Sequence, residues 1–459
     1  MAGTPQYIRN LNENLIMDAL ITQGSMSRAD ISRQTGLSKP TVSSAVEHLI
    51  ERNLVKETGR ADNAQGRKAT LIQFNEKAYY VCGVDIGATR IRIALSDLSG
   101  QITAYAVYPP IVPEKKEEPE SESERELESK SKRYPSPEPG LNQFNGEAAA
   151  EEMYQTSESS QTCEKSVLHL LYSYVGQLLQ ENDLQWGDLR CIGFGIPGVV
   201  LPGSGQISRI VDPLAGLEQS FSRDALAQAF PCDVILDNDV NLAALGEYRS
   251  GAATDSPLFV FFSIGAGTGA GIMVRGQLLH GLSGLTGEVA EMLLEDGRRL
   301  EDVLSAEGLM HLAKHYGLET FVRSDIENSS AAGFETPDNL DTSDTSDTLL
   351  TPEVIFEAAR SGEVQAVEVM KQYSRTIASA LRQISTVLAP ELIVLGGGIG
   401  GNGDVLLPLL RQMAGEQFPV QPKLICSALG ERAVVTGAVQ VALQQTLQNL
   451  QQEALVESR

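Results

Sequence analysis

The residues best suited to chemistry lie between positions 236 and 301. Residues 237–241 read DNDVN, a dense polar cluster, and Glu288 and Glu301 add two carboxylates further along. Carboxylate and amide side chains together can hydrogen-bond several adjacent hydroxyl groups, as recognition of a sugar requires. Residues 265–271 read GAGTGAG, and the backbone amides of a glycine-rich turn can approach an anion closely. The stretch therefore predicts a sugar pocket beside a phosphate-binding loop.

Apolar runs next to these residues predict the strands that position them. A strand at 258–264 ends at the glycine-rich turn, and strands at 79–84 and 91–95 enclose the sequence DIGAT. A strand at 391–395 leads into a further glycine-rich run, where backbone can approach a ribose or a base. An amphipathic helix is predicted at 167–180, and a closing helix at 434–452.

The first 75 residues have the pattern of a winged helix-turn-helix domain. Apolar residues at helical spacing predict helices at 8–24, 28–34 and 38–52, and Gly36 lies in the turn before the third helix. Two short helices joined by such a turn are typical of DNA-binding heads, with the next helix as the reader. Two strands with a basic tip follow, as in a wing. The predicted DNA contacts are Arg28, Ser38, Lys39, Thr41, Ser43, Ser44, Arg67 and Lys68.

The charge distribution agrees with a head that meets phosphate. The whole chain of 459 residues carries a formal charge of −24, but residues 1–75 hold nine basic and seven acidic side chains, a net charge of +2. The remaining 384 residues therefore carry −26. A basic head on an acidic body can bind nucleic acid locally while the body is repelled from it.

Composition excludes several classes of protein. The five cysteines are scattered and form no C-x-x-C pair, which argues against a disulfide frame and for a reducing compartment. No apolar run approaches the roughly 20 residues of a membrane span, and the N-terminus lacks a signal-peptide core. We therefore expect a cytoplasmic protein. Residues 113–164, with fourteen acidic and six basic side chains, predict a disordered acidic insertion, and residues 326–348 a smaller one.

These motifs, in this order, resemble transcriptional regulators of the ROK family (repressors, uncharacterised frames and sugar kinases), including xylose- and N-acetylglucosamine-type repressors. The resemblance rests on the winged head and on DIGAT, GIPG at 195–198, DNDVN, the turn at 265–271, Gly287-Glu288 and the glycines at 396–398. It implies an α/β fold with a two-lobed actin/hexokinase-like (ribonuclease H-like) body. The expected domains are a head at 1–75, a first lobe at 78–195 and a second lobe at 196–459. It also implies a homodimer or homotetramer that presents paired heads to palindromic operator DNA.

The resemblance also assigns roles to individual residues. It makes Asn238, Asp239, Glu288 and Glu301 sugar ligands, with Glu291 at the position where kinase members place a sugar- and zinc-binding histidine. Asp239 would be the general base if the protein were a kinase. The matching nucleotide-site residues are Asp85, Gly87, Thr89, Gly265, Gly267, Thr268 and Gly397.

Departures from the family pattern argue against catalysis. Glu291 replaces the histidine, and residues 292–299 contain neither cysteine nor histidine, so we expect no structural zinc. Ala88 and Ala266 stand where kinases prefer glycine and a phosphate-contacting threonine, so Mg-ATP is expected only under a kinase reading. The first reading is a repressor released from its operator when a sugar closes the cleft. The second is a repressor with residual hexokinase activity, and the third is a kinase with a protein-interaction head. Xylose, glucose, N-acetylglucosamine and their phosphates all stay open as the ligand.

Overall fold

The structure is a computed structural model that describes residues 5–61, 69–111, 167–210, 214–318 and 350–456. Arg67 and Lys68 of the predicted wing lie outside the described residues. So do the two predicted insertions, at 113–164 and at 326–348.

The head folds as a winged helix-turn-helix, as the sequence predicts. Ser27 caps the second helix in a capping box with Asp30, and Gly36 ends that helix in the left-handed conformation with φ 73°. The side chain of Ser38 then accepts a hydrogen bond from the backbone N–H of Thr41 and starts the reading helix. The helices are Pro5–Gln23 (α1), Arg28–Thr35 (α2) and Lys39–Glu51 (α3), and the strands are Met26–Ser27 (β1), Val55–Ala61 (β2) and Ala69–Phe74 (β3). The strand order β1-β3-β2 includes β1, which the sequence pattern does not reveal.

The body contains two five-stranded sheets with the same topology. In each, an antiparallel meander of three strands is extended at one edge by two parallel strands. This duplication confirms the predicted two-lobed fold. The strands of the first lobe are Tyr80–Ile86 (β4), Ile91–Asp97 (β5), Ile102–Tyr108 (β6), Leu189–Ile196 (β7), Gly198–Val200 (β8), Ile207–Ile210 (β9) and Asp233–Asn238 (β10). Those of the second lobe are Leu258–Ile264 (β11), Thr268–Val274 (β12), Gln277–Leu278 (β13), Leu392–Gly396 (β14) and Lys423–Cys426 (β15). The strand orders of the two sheets are β10-β7-β4-β5-β6 and β15-β14-β11-β12-β13.

Helices cover the two sheets and close the chain. Their apolar faces form the two largest cores, one in each lobe. The helices of the body are residues 167–181 (α4), Arg223–Ala229 (α5), Asp239–Ser250 (α6), Glu301–Leu304 (α7), Ala306–His315 (α8), Pro352–Arg360 (α9), Val364–Leu388 (α10), Gly397–Gly400 (α11), Gly403–Gln417 (α12) and Ala433–Val456 (α13). Within the described ranges, none of the helices is long and apolar enough to cross a membrane.

The division between the lobes differs from the expected boundary at residues 195 and 196. Strand β10 pairs in parallel with β7, so the first sheet extends to Asn238. Helix α13 also packs against β4, β5 and β7 of that sheet although it ends the described chain. The first sheet is buried by a fifth strand and by a covering helix, and the chain returns from the second lobe to supply that helix.

Candidate functional site

The polar cluster lies where β10 ends and α6 begins. Asn238 is the N-cap of α6: its side-chain oxygen accepts from the N–H of Asn241 at 3.0 Å, and its amide donates to the carbonyl of Gly198 at 2.9 Å. Asp237 accepts from the backbone N–H of Asn238 at 2.8 Å and from the Asn241 amide at 3.1 Å. These bonds fix the backbone from which Asp239 projects. The cluster is therefore pre-organised before any ligand arrives.

Asp239 is a partly buried carboxylate beside a second buried carboxylate. Burial raises the pKa of Asp239 to about 7, and the neighbouring Asp85 adds to that rise. Burial likewise raises the pKa of Asp85 to about 7, although Arg92, at 3.4 Å, opposes the rise. Asp85 lies near the end of β4, and Asp239 comes directly after β10. Because β4 and β10 both run parallel to β7, both carboxylates come to one edge of the first sheet. The two groups share a site where two full negative charges are unfavourable.

Glu288 approaches the same region from the second lobe. It follows Gly287, which has φ 92° and whose carbonyl accepts from the N–H of Ala270 on β12 at 2.8 Å. Burial raises the pKa of Glu288, and Arg209 opposes that rise. Asp239 and Glu288 are close enough to influence each other electrostatically. The structure thus brings together two of the predicted sugar ligands from opposite lobes.

Glu301 is engaged with the glycine-rich turn. Its carboxylate accepts from the backbone N–H of Thr268 at 2.8 Å, and a side chain at Gly267 would meet it at 3.1 Å. Burial raises the pKa of Glu301, while the Thr268 amide opposes the rise. Glu301 therefore occupies a backbone donor of the loop that the sequence predicts to bind phosphate.

The remaining residues predicted for a nucleotide site lie in turns at the strand ends of both sheets. Gly265 and Gly397 are adjacent because β11 and β14 are parallel neighbours, and Gly397 has φ 78°. A side chain at Gly397 would lie 2.3 Å from the carbonyl oxygen of Ile264, so glycine is required there. Gly87 and the exposed Thr89 lie in the β4–β5 turn of the first lobe. All the predicted nucleotide-site residues thus lie at the strand ends that border the cleft.

Glu291, the residue at the family's histidine position, forms ion pairs with two arginines. It accepts from Arg209 at 2.5 Å and lies 3.8 Å from Arg299. The hydrogen bond from Arg209 lowers the pKa of Glu291. Residues 292–299 supply neither cysteine nor histidine. This donor set does not fit a structural zinc.

Sequence reasoning missed two functional candidates, His280 and Arg209. The Nε2 of His280 lies 2.7 Å from Asp237, and this hydrogen bond raises the pKa of the imidazole. Arg209 on β9 reaches Glu291 across the cleft. Neither belongs to a motif, and their partners are 43 and 82 positions away in sequence. Only their polarity next to glycine-rich turns could have drawn attention to them.

The described DNA-binding candidates lie on the reading helix and next to it. Ser38, Lys39 and Ser44 are exposed, and Thr41 and Ser43 are partly exposed. Arg28 forms an ion pair with Glu57 of β2 at 3.0 Å, so it joins the second helix to the wing. The N-terminal end of α3 is therefore a small polar surface that can approach a DNA groove.

The head is joined to the first lobe by one continuous core. That core contains Met17 and Leu20 of α1, Val81 of β4, and Val439 and Leu443 of α13. Two polar contacts reinforce it: Arg52 donates to the carbonyl of Leu450 at 3.0 Å, and Gln451 donates to Asp18 at 3.2 Å. At its other end α13 packs on α6, where a side chain at Gly437 would lie 1.8 Å from the carbonyl oxygen of Leu242. Helix α13 thus contacts both the head and the helix that begins at Asp239.

Comparison with known protein families identifies two matches. A family model described as the ROK family matches residues 140–445, which is most of the body. A second, described as the MarR family, matches residues 11–67 of the head.

Individual relatives agree with these matches. The chain is 23% identical to the xylose repressor of Caldicellulosiruptor bescii, over 97% of this chain and 98% of that protein. It is 24% identical to the N-acetylglucosamine repressor of Escherichia coli, over 94% of this chain and 92% of that protein.

Solved structures show the same fold. A ROK family transcriptional regulator, described as a homolog of the Escherichia coli Mlc protein, superposes with a TM-score of 0.61 at 22% identity. It covers 98% of this chain and 100% of that one. A ROK family glucokinase from Streptomyces griseus, solved with glucose and AMPPNP, superposes with a TM-score of 0.55 at 19% identity. It covers 80% of this chain and 99% of that one.

Proposed function

The chain belongs to the ROK family, and from this premise we propose that the protein is a sugar-responsive transcriptional repressor acting on operator DNA in the cytoplasm. The observation that carries the proposal is the packing that connects the DNA-binding head with the polar cluster predicted to bind the sugar. Helix α13 packs against α6, which starts at Asp239, and against α1 of the head. The relatives described above as repressors of xylose and N-acetylglucosamine support a carbohydrate as the effector.

The cleft suits a sugar because its polar groups come from both lobes. Asp239 and Asn238 lie on the first lobe, and Glu288 lies on the second. A sugar that contacts both lobes binds the closed arrangement more tightly than the open one. It therefore shifts the population towards the closed arrangement. Because α13 contacts α6 tightly, a change in the cleft moves the helix on which the head rests. Helix-turn-helix dimers require their heads about one helical turn of DNA apart, so a shift of a few ångströms weakens operator binding.

A second candidate, residual sugar kinase activity, is favoured by one observation. The pKa of Asp239, about 7, is suited to a general base at neutral pH. Mg-ATP would have to use Asp85, which Arg92 contacts, and the glycine-rich turn, whose Thr268 amide Glu301 occupies. These two contacts place the kinase reading second. We propose no resident cofactor and no structural zinc.

The oligomer is also part of the proposal. Operators read by helix-turn-helix proteins are commonly palindromic, because a two-fold symmetric protein places one head on each half-site. We therefore propose a homodimer or a homotetramer of the chain.

The test is a pair of single variants assayed for two activities. Lys39→Ala should weaken operator binding, because one phosphate contact is lost. The slope of log affinity against log salt concentration should become smaller by about one. Its sugar binding should be unchanged. Asp239→Ala should bind operator normally but no longer respond to sugar. Lys314→Ala, a substitution at the last turn of α8 in the second lobe, is the matched control and should change neither activity.

The sugar itself is identified by thermal shift with pentoses, hexoses, amino sugars and their phosphates, each with and without Mg-ATP. A ligand stabilises the folded protein by mass action, so even a weak effector shows at high concentration. Stabilisation by one sugar with no effect of ATP supports the repressor. Stabilisation that requires both, followed by turnover, would move the kinase reading ahead.

Normal operator binding by Lys39→Ala would show that α3 is not the reading helix.

A further inference from the structure

The segment that carries Glu288 spans the cleft between the two lobes. We call residues 279–292 the bridging segment. It leaves β13 of the second lobe and is held there by the Ala270 N–H bond to the carbonyl of Gly287. At its far end, the carbonyl of Met292 accepts from the N–H of Leu300 at 2.7 Å. The bridging segment is therefore anchored in the second lobe.

The same segment touches the first lobe at three places. His280 bonds to Asp237 at 2.7 Å, and Glu291 bonds to Arg209 at 2.5 Å. Between them, Gly284 packs so closely that a side chain there would lie 2.4 Å from the carbonyl oxygen of Val200. Glu288 lies between the two polar contacts in sequence. Its position thus depends on both lobes at once.

We propose that Glu291 is a positioning residue: its ion pair with Arg209 joins the lobes and holds Glu288 toward the effector, which Glu291 itself does not contact. The proposal rests on the proposed function only in taking the cleft as the effector site. This role differs from the one that the family resemblance implies for the sugar kinases. There the histidine at the matching position binds the sugar directly.

The surrounding charges explain why the Glu291 side chain points towards the first lobe only while Arg209 is charged. Arg299, on the second lobe, lies 3.8 Å from Glu291 and bonds more closely, at 2.9 Å, to Asp302. Arg298 is bound to Asp296 at 2.6 Å. If Arg209 loses its charge, the nearest remaining partner of Glu291 is Arg299 in its own lobe. The Glu291 contact with the first lobe is then lost, while the contacts of His280 and Gly284 remain.

Without this contact, fewer molecules hold Glu288 in the position that binds the effector, so the apparent affinity for effector falls. Apparent affinity falls in proportion to the fraction of molecules in which Glu288 is correctly placed. The side chains of Arg209 and Glu291 are 61% and 46% exposed, so the pair belongs to the weak class of ion pairs. We expect a loss of affinity of about two- to fivefold, the size typical of such pairs.

A double-mutant cycle distinguishes a positioning residue from a ligand. The variants are Arg209→Gln, Glu291→Gln, the double variant, and the exchange Arg209→Glu with Glu291→Arg. The probes are D-xylose and N-acetyl-D-glucosamine, titrated by calorimetry. Arg209 also acts electrostatically on Glu288, so Arg209→Gln should weaken binding at least as much as Glu291→Gln. The double variant should bind no more weakly than Arg209→Gln alone, and the exchange should recover part of the loss. If Glu291→Gln abolishes binding while Arg209→Gln leaves it unchanged, Glu291 is a ligand and the proposal is wrong.

A second measurement needs no effector. Amide hydrogen exchange reports local opening, and it should accelerate across residues 279–292 in both single variants. Arg298→Gln is the matched control, because it removes an exposed arginine whose ion pair with Asp296 lies within one lobe. Unchanged exchange in both single variants would overturn the proposal even if neither sugar binds. Accelerated exchange without binding of either sugar would support the inter-lobe contact and would show that neither probe is the effector.

Discussion

Replacing Asp239 by asparagine should stabilise the protein at alkaline pH while abolishing its sugar response. The pKa of Asp239 is about 7 in the folded protein, against an ordinary value of 3.8. A raised carboxyl pKa means that the folded state disfavours the charged form. Ionisation of Asp239 therefore costs no stability below pH 3.8, where the group is protonated in both states. The free energy of unfolding then falls as the pH rises from 3.8 to 7. Asparagine removes this loss and keeps an acceptor for the Val240 N–H that Asp239 binds at 2.8 Å.

The size of the effect follows from the shift. Roughly three pKa units at about 1.4 kcal/mol each set an upper limit of about 4 kcal/mol at pH 8, and about 1 kcal/mol at pH 4.5. Asp85 titrates over the same range, so the measured gain should lie below these limits. The assay is denaturant unfolding of both proteins at the two pH values.

Asp302→Asn provides a control of opposite sign. Arg299 lowers the pKa of Asp302, so asparagine there should reduce stability slightly at pH 8. A gain for Asp239→Asn that is equal at both pH values, or absent at pH 8, would refute the conclusion that Asp239 is destabilised by burial of its charge.

Three further substitutions test other parts of the structure. Gly287→Ala should abolish effector binding in calorimetry, because φ 92° and a contact of 1.8 Å with the Ala270 carbonyl oxygen exclude a side chain there and displace Glu288. Unimpaired binding would mean that Glu288 is not placed by this turn. Ser38→Ala should cost about 1 kcal/mol of stability, since the reading helix loses its N-cap, and should weaken operator binding in a fluorescence titration. An unchanged affinity would separate the cap from DNA recognition. Glu247→Gln should destabilise the fold by about 1–3 kcal/mol in denaturant unfolding, because a buried carboxylate that accepts from Ser427, Leu429 and Ala252 loses acceptor capacity. A neutral result would show that these donors find other partners.

Much of this fold could be predicted from local signals. Ser27, Gly36 and Ser38 mark helix boundaries through bonds to residues three or four positions away, so they are legible in sequence. The strand at Leu258–Ile264 was predicted with its observed bounds, since an apolar run that ends in glycines has few alternatives. The boundary between the lobes was misplaced because the membership of β10 in the first sheet depends on pairing with a distant strand.

The sequence alone determined the residue types of the site and the order of the motifs that carry them. Only the tertiary structure decided which of those residues face one another. It placed Asp239 near enough to Asp85 for their charges to interact, and it directed Glu301 to the Thr268 amide. It also paired Glu291 with Arg209 and packed α13 on both α6 and the head. The reason is physical: caps and turns are set by bonds between near neighbours in the chain, whereas these contacts join residues that become neighbours only when two sheets and a returning helix pack together.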